Sequence, residues 1–75
     1  MLFRSLFAME FKVKNEFITL GQLLKACDFI SSGAQAKFAV KEMNILVNDE
    51  REDRRGRKLY AGDTVIVEGE QIHLK

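Results

Sequence analysis

The first half of the chain carries one strand pattern followed by two helical patterns. Apolar and polar residues alternate over residues 10–14, as expected for a strand with one buried face. Three leucines and Cys27 then recur three and four residues apart, which predicts a first helix from residue 20 to residue 27 or 28. Thr19 precedes this helix and Gln22 lies three residues later, so we expect the helix to begin with a capping box.

A second helix is predicted from residue 33 or 34 to Met43. Ser32 and Gln35 repeat the capping-box spacing at its start. Its buried stripe is Ala36, Ala39, Val40 and Met43. Its opposite side carries Lys37, Phe38 and Lys41. Asn44 is the expected terminator, because asparagine tolerates the left-handed conformation found at helix C-termini.

The second half of the chain is a series of short apolar runs separated by turn residues. The predicted strands cover residues 45–47, 64–67 and 71–74, and the turns lie at Asn48-Asp49, Gly62-Asp63 and residues 68–70. These connections are too short for the crossover that parallel neighbours need, so the strands pair antiparallel. The order of elements predicts an α+β domain, with two helices packed on a small curled antiparallel sheet of four to five short strands.

Length and composition narrow the class of protein. A chain of 75 residues allows one small domain, which we place at residues 9–75. The single cysteine rules out an internal disulfide and a cysteine-rich zinc site, and it fits a reducing cytoplasm. No apolar run approaches the roughly 20 residues that span a bilayer. His73 and Asp63 have no catalytic partner at a suggestive spacing, and no phosphate-binding glycine loop is present. We therefore expect no enzyme, cofactor, metal or small-molecule substrate.

Residues 1–8 are interpreted as an N-terminal extension. Their apolar run is interrupted and is shorter than the roughly 7–15 residues at the centre of a signal peptide, and Glu10 and Lys12 follow at once. Export is therefore not expected. Met9 begins a more ordinary sequence and is a candidate for the true start of the protein.

The strongest candidate site is a basic cluster at residues 54–58, Arg-Arg-Gly-Arg-Lys. Residues 51–58 hold five basic and two acidic residues, a balance of +3, which leaves −2 for the rest of a chain with a net charge of +1. Arginine donates two parallel hydrogen bonds to a phosphate and lysine adds a point charge, so the cluster suits a polyanion. The alternative is a solvated loop that is ion-paired to Glu50, Glu52 and Asp53.

The second helix strengthens the first interpretation. Lys37 and Lys41 are four residues apart and share a face. The amides at the start of the helix are candidates to hold a phosphate. Phe38 lies beside these lysines, and its ring either stacks on an unpaired base or packs against the N-terminal residues.

Five segments occur in a specific order along most of the chain. They are Leu23-Leu24, residues 32–37 (SGAQAK), residues 45–48 (ILVN), residues 54–59 (RRGRKL) and residues 62–65 (GDTV). Together they resemble the RNA-binding domain named after ribosomal small-subunit protein S-four, and in particular its small stand-alone bacterial branch, the YaaA/YbcJ type. The resemblance implies a non-enzymatic module of the alpha-L type that binds structured RNA, often ribosomal, with a role in large-subunit maturation. Carried over residue by residue, it implies RNA contacts from Ser32, Gln35, Lys37 and Lys41 on the helix, and from Arg51, Arg54, Arg55, Arg57 and Lys58 on the loop.

Two other functions remain open at this point. A sulfur carrier of the ubiquitin-like β-grasp type is similarly short, but it needs a C-terminal Gly-Gly where this chain ends His73-Leu74-Lys75. A protein-interaction module would use the charged loop to bind an acidic partner. The acidic neighbours of the loop are expected to weaken purely electrostatic binding to RNA.

Overall fold

The structure, a computed structural model, describes residues 9–75, and the predicted extension at residues 1–8 lies outside the described residues. Within that range, the α+β class predicted from the sequence is confirmed. The elements in chain order are β1 (Met9–Phe11), β2 (Ile18–Thr19), α1 (Leu20–Ala26), a 3-10 turn (Gly33–Gln35), α2 (Ala36–Glu42), β3 (Ile45–Val47), β4 (Glu50–Arg51), β5 (Lys58–Leu59), β6 (Thr64–Val67) and β7 (Glu70–Leu74). Neither helix in this range is long and apolar enough to cross a membrane.

The strands form a five-stranded sheet and a separate two-stranded ribbon. The sheet has the order β1-β7-β6-β3-β4, and β2 pairs with β5 in the ribbon. The strands after α2 pair antiparallel, as predicted. The first strand differs, because β1 runs parallel to β7 and makes the sheet mixed. Both helices and all the other strands lie between β1 and β7, and they supply the long connection that a parallel pair requires.

The first helix begins and ends where local hydrogen bonding can satisfy its backbone. The Gln22 amide donates to the Thr19 hydroxyl at 3.3 Å, and the Thr19 amide donates to the Gln22 side chain at 3.0 Å. This reciprocal pair is the predicted capping box. At the other end Asp28 adopts a φ of 65°, and the Phe29 amide donates to the Leu24 carbonyl at 2.9 Å. The left-handed residue closes α1 with the bond pattern of a Schellman motif.

The second helix starts with a tighter turn than predicted and ends differently. Residues 33–35 form a 3-10 turn before α2, and Gln35 reaches back to accept from the Ser31 amide at 2.7 Å. The prediction that a left-handed Asn44 terminates this helix is wrong. Asn44 is not among the residues with positive φ, and Met43 leaves the helix in an extended conformation. The Arg51 guanidinium instead donates to the terminal carbonyls, so a side chain on β4 satisfies groups that a left-handed residue would otherwise cap.

Two hairpin turns set the register of the sheet. Asn48 and Asp49 have φ values of 51° and 71°, and Glu68 and Gly69 have values of 50° and 83°. Two consecutive residues with positive φ are typical of the type I′ turn, whose twist matches that of the strands it joins. The predicted turns at both positions are therefore confirmed.

The core lies between the two helices and the sheet, and the helices approach each other closely at Gly21. Its fully buried side chains are Leu20, Leu23, Leu24, Val40, Ile45, Val47, Leu59, Val65, Val67 and Ile72. A Cβ atom added to Gly21 would lie 3.1 Å from the Cβ of Ala36 and 3.4 Å from the Arg55 carbonyl oxygen. The small residues therefore bring α1, α2 and the segment at Arg55 together at one point.

Candidate nucleic-acid interface

The basic loop, defined here as residues 52–57 between β4 and β5, is bonded to the start of α1. The Leu20 amide donates to the Arg57 carbonyl and the Gly21 amide donates to the Arg55 carbonyl, both at 2.9 Å. The first amides of a helix have no partner within the helix, so the loop carbonyls supply one. The Arg57 amide also donates to the Arg54 carbonyl at 3.2 Å, which closes the loop into a turn. The loop is therefore held on the fold at several backbone positions.

Glu52 organises the side chains of this loop from within. It is 5% exposed and is the one buried charged residue among residues 9–75. Its carboxylate accepts from the Arg54 Nε atom at 2.8 Å and from an Arg57 terminal nitrogen at 2.7 Å. The hydrogen bond from Arg54, followed by that from Arg57, lowers the pKa of Glu52 to about 2 against the opposing effect of burial. Glu52 is thus an anion that fixes two guanidinium groups at the surface.

This geometry separates the acidic residues that the sequence grouped together. Asp49, Glu50 and Asp53 are exposed, whereas Glu52 is buried beneath its arginine partners. The side chains of Arg54 and Arg57 are 71% and 33% exposed, so both keep a surface available while bonded to Glu52. Of the three acids in the predicted ion pairing, Glu52 pairs with Arg54 and Arg57, whereas Glu50 and Asp53 make no ion pair within residues 9–75. The Glu52 pairs position the two arginines without removing them from the surface.

Three adjoining depressions lie along the loop, and two of them also include residues of α2. The first, of about 190 Å³, is lined by Lys37, Val40, Lys41, Asp53 and Arg55. The second, of about 390 Å³, is lined by Arg54, Gly56, Arg57 and Lys58. The third, of about 370 Å³, is lined by Thr19, Gly21, Gln22, Lys25, Gly33, Ala36, Arg55 and Gly56. Arg55 lines two of the three, and among residues 9–75 it makes no ion pair.

The third depression is lined by a lysine, Lys25, that was not predicted from the sequence as a site residue. Lys25 lies in the last turn of α1. Its spacing from the leucines places it on the exposed side of α1, but only the docking of the loop onto α1 brings Arg55 to the same depression. We call Lys25, Lys37, Lys41, Arg54, Arg55, Arg57 and Lys58 the basic surface.

Comparison with known proteins adds to this geometry. Residues 11–75 match the family model described as the S4 domain. The chain belongs to the S4 domain family. The resemblance stated from the sequence is therefore confirmed, and the β-grasp alternative is set aside.

Two relatives of this S4 domain cover most of its length. One is the "Probable ribosome maturation protein RlbA" of Bacillus subtilis (strain 168), which is 56% identical over 57 residues, 76% of this chain and 80% of that protein. Another is the "Putative RNA-binding protein YbcJ" of Escherichia coli (strain K12), which is 36% identical over 61 residues, 81% of this chain and 87% of that protein. Both are small, so the chain is similar to S4 domains that make up nearly the whole of a protein.

The remaining predicted site residues of this S4 domain lie outside the three depressions. Arg51 donates to the carbonyls of Lys41 and Met43 at 3.3 and 2.9 Å and to the Asn44 side chain at 3.3 Å. Gln35 accepts from the amides of Ser31 and Ser32, so its side-chain oxygen and these two amides are engaged at the start of α2. Phe38 is 61% exposed, and the Lys37 ammonium lies 5.5 Å from its ring centroid.

Proposed function

We propose that this S4 domain is a non-enzymatic module that binds structured ribosomal RNA during maturation of the large ribosomal subunit. Its partner is a folded RNA or a ribosomal precursor particle in the cytoplasm. The observation that carries the proposal is the first depression, where Arg55 from the loop faces Lys37 and Lys41 from α2. Three cations from two elements on one concave surface suit the closely spaced phosphates of a folded RNA.

The rigid attachment of the loop supports recognition of RNA shape. The loop carbonyls are bonded to α1, and Glu52 fixes two of the guanidinium groups. A cationic surface that is ordered before binding loses little conformational entropy when phosphates arrive. A fixed array of cations also selects a fixed array of phosphates, as structured RNA presents.

The predicted contact residues contribute unequally to this proposal. Arg55, Lys37 and Lys41 contact phosphates directly, and Arg54, Arg57 and Lys58 do so through the exposed parts of their side chains. The ring of Phe38 is exposed on the same helix and is available for contact with an RNA base next to the lysines. Arg51 and Gln35 are bonded within the fold, and in this proposal their role is to hold α2 in place. Ser32 directly precedes the 3-10 turn at residues 33–35.

The proposal is tested by the salt dependence of RNA affinity. We expect Arg55→Ala and Lys41→Ala to weaken binding to ribosomal RNA, and each to reduce the slope of log K against log salt by about one. Lys75→Ala is the matched control, since it also removes one cation. Lys75 pairs with Glu10 next to β1 and β7, at the edge of the sheet opposite β4. Equal slopes for all three variants would contradict the proposed surface.

A second experiment addresses the partner itself. Crosslinking the protein in cells and sequencing the attached RNA should recover ribosomal RNA, with positions in the large subunit enriched. The third interpretation from the sequence, a protein-interaction module, predicts the opposite result. Recovery of protein partners without RNA would favour it and would contradict RNA binding.

A further inference from the structure

The ribbon of β2 and β5 presents an aromatic pair on its outer face. Ile18 lies opposite Leu59 in the ladder, and Leu59 is fully buried in the core. Side chains alternate between faces along a strand, so the next residues outward, Phe17 and Tyr60, point away from the core. Their ring centroids are 6.1 Å apart with an interplanar angle of 56°. Tyr60 is 46% exposed, and Phe38 is the other exposed large hydrophobic residue within residues 9–75.

This aromatic pair is fixed in position and carries a cation. The Tyr60 amide donates to the Asp63 carboxylate at 2.8 Å, and the Asp63 amide donates to the Tyr60 carbonyl at 3.0 Å, so a tight turn holds the backbone of Tyr60. The Lys58 ammonium lies 4.9 Å from the centroid of the Phe17 ring. That distance is within the range of a cation–π contact.

The pair also adjoins positive charge on both sides. Lys58 lines the second depression with Arg54, Gly56 and Arg57 and is thus part of the basic surface. Phe17 lines a separate depression of about 340 Å³ that includes Lys12 and Lys14. A ligand that reaches the aromatic pair from the basic surface therefore meets a ring next to cations, which suits the base and the phosphate of a nucleotide.

We propose that Phe17, Tyr60 and Lys58 form a stacking site for one unpaired base of the bound RNA. The inference rests on the proposed function and narrows its substrate class to structured RNA with an extrahelical base next to a helix. A base stacks on the exposed face of Tyr60, and its phosphate contacts Lys58. Stacking on an aromatic ring is tolerant of base identity, because every base has a π face.

The chain carries a spectroscopic probe for this site. It has one tyrosine and no tryptophan, so its tyrosine emission reports on Tyr60 alone. The experiment uses two RNA duplexes of matched sequence, one fully paired and one with a single unpaired adenosine. We expect the duplex with the unpaired base to quench the emission of Tyr60 and the paired duplex to leave it unchanged after correction for absorbance. Affinities for both RNAs are measured in parallel with an end-labelled strand.

Variants at Tyr60 give the affinity readout. We expect Tyr60→Leu to weaken binding to the duplex with the unpaired base by about ten- to a hundred-fold, with affinity for the paired duplex unchanged. Tyr60→Phe keeps the aromatic ring and should bind both RNAs with the affinity of the wild-type protein. Arg55→Ala should weaken binding to both RNAs.

Three results would overturn the inference, and they have different meanings. Tyr60→Leu binding both RNAs normally, while Arg55→Ala binds both more weakly, would refute the stacking site and leave the proposed function standing. Loss of the preference in Phe38→Leu but not in Tyr60→Leu would place the unpaired base on α2. If the wild-type protein binds neither duplex, the stacking site is refuted. If it also does not bind ribosomal RNA, the proposed function is refuted.

Discussion

Replacing Glu52 with glutamine tests whether a buried anion holds the basic loop together. The change keeps the size of the side chain and removes the charge that accepts from Arg54 and Arg57. The pKa of Glu52 is lowered from 4.5 to about 2 in the folded protein, chiefly by the hydrogen bond from Arg54. At about 1.4 kcal/mol for each tenfold change in proton affinity, this sets an upper bound of roughly 3–4 kcal/mol. The Arg54 side chain is 71% exposed, so solvent screening reduces the expected loss to about 1–2 kcal/mol.

The dependence of this loss on pH gives the decisive measurement. Because the folded pKa of Glu52 is depressed, its contribution is fully present above the unfolded value of 4.5 and is lost as pH falls toward about 2. The free energy of unfolding of Glu52→Gln should be about 1–2 kcal/mol lower than that of the wild-type protein at pH 7, and the two values should converge near pH 2. Urea denaturation at a series of pH values measures both. A difference that is the same at every pH would refute the reasoning.

Measurements of RNA affinity distinguish two effects of Glu52, its positioning of Arg54 and Arg57 and its negative charge. Removing a negative charge near bound phosphates reduces Coulomb repulsion, and this effect by itself strengthens binding. Asp53→Asn makes the same change in charge at the neighbouring residue, which is exposed and lines the first depression. We therefore expect Asp53→Asn to raise RNA affinity and Glu52→Gln to lower it, since Arg54 and Arg57 lose their common anchor. Equal increases in both variants would show that Glu52 acts only through its charge.

The other predictions concern the frame that carries the basic surface. Arg51→Ala should lower the free energy of unfolding by about 1–2 kcal/mol, because α2 loses hydrogen bonds to its terminal carbonyls. RNA affinity, measured where the variant is fully folded, should stay unchanged, and a large loss of affinity would make Arg51 a contact residue. Asp49→Gly should raise the unfolding free energy by about 0.5 kcal/mol, because the residue has a φ of 71° that glycine adopts without strain, and lower stability in urea would contradict this. Partial burial raises the pKa of Cys27, so its thiol should react with a disulfide reagent more slowly at pH 7 than in the unfolded chain. Equal reaction rates in the folded and unfolded chains would contradict this partial burial.

Local signals in the sequence were sufficient to predict most of the fold. The capping box at Thr19 and Gln22 and the turn at Asn48-Asp49 depend on residues within four positions of each other, and both form as expected. The parallel pairing of β1 with β7 was not predicted, because it joins residues about 60 positions apart. Pairing over such a distance is set by the packing of the whole domain and leaves no periodic trace.

The candidate site was only partly predictable for the same reason. The cationic character of residues 54–58 is visible in the sequence, but the different roles of Glu52 and Asp53 are not, since both are acidic residues next to the same arginines. Lys25 and Tyr60 are separated in sequence by 35 positions, and each becomes part of a surface only when the loop attaches to α1 and β5 pairs with β2. The local basic cluster at residues 54–58 therefore predicted the class of ligand, and tertiary contacts determine which other residues share its surface.

The proposed binding of RNA requires a locally cationic surface on a chain with a net charge of only +1. Screening limits the reach of an exposed charge to about 8 Å at physiological salt, whereas the domain measures 32 × 26 × 23 Å. Glu10 lies at the opposite edge of the sheet, paired with Lys75, and Glu68 bonds the Asn44 amide at 2.6 Å. Glu10 and Glu68 are bonded to their own partners, and the negative charge of Glu52 is compensated by Arg54 and Arg57. Asp53 is the acidic residue that lines the first depression with Lys37, Lys41 and Arg55, so a single exchange at Asp53 is expected to alter affinity more than the net charge implies.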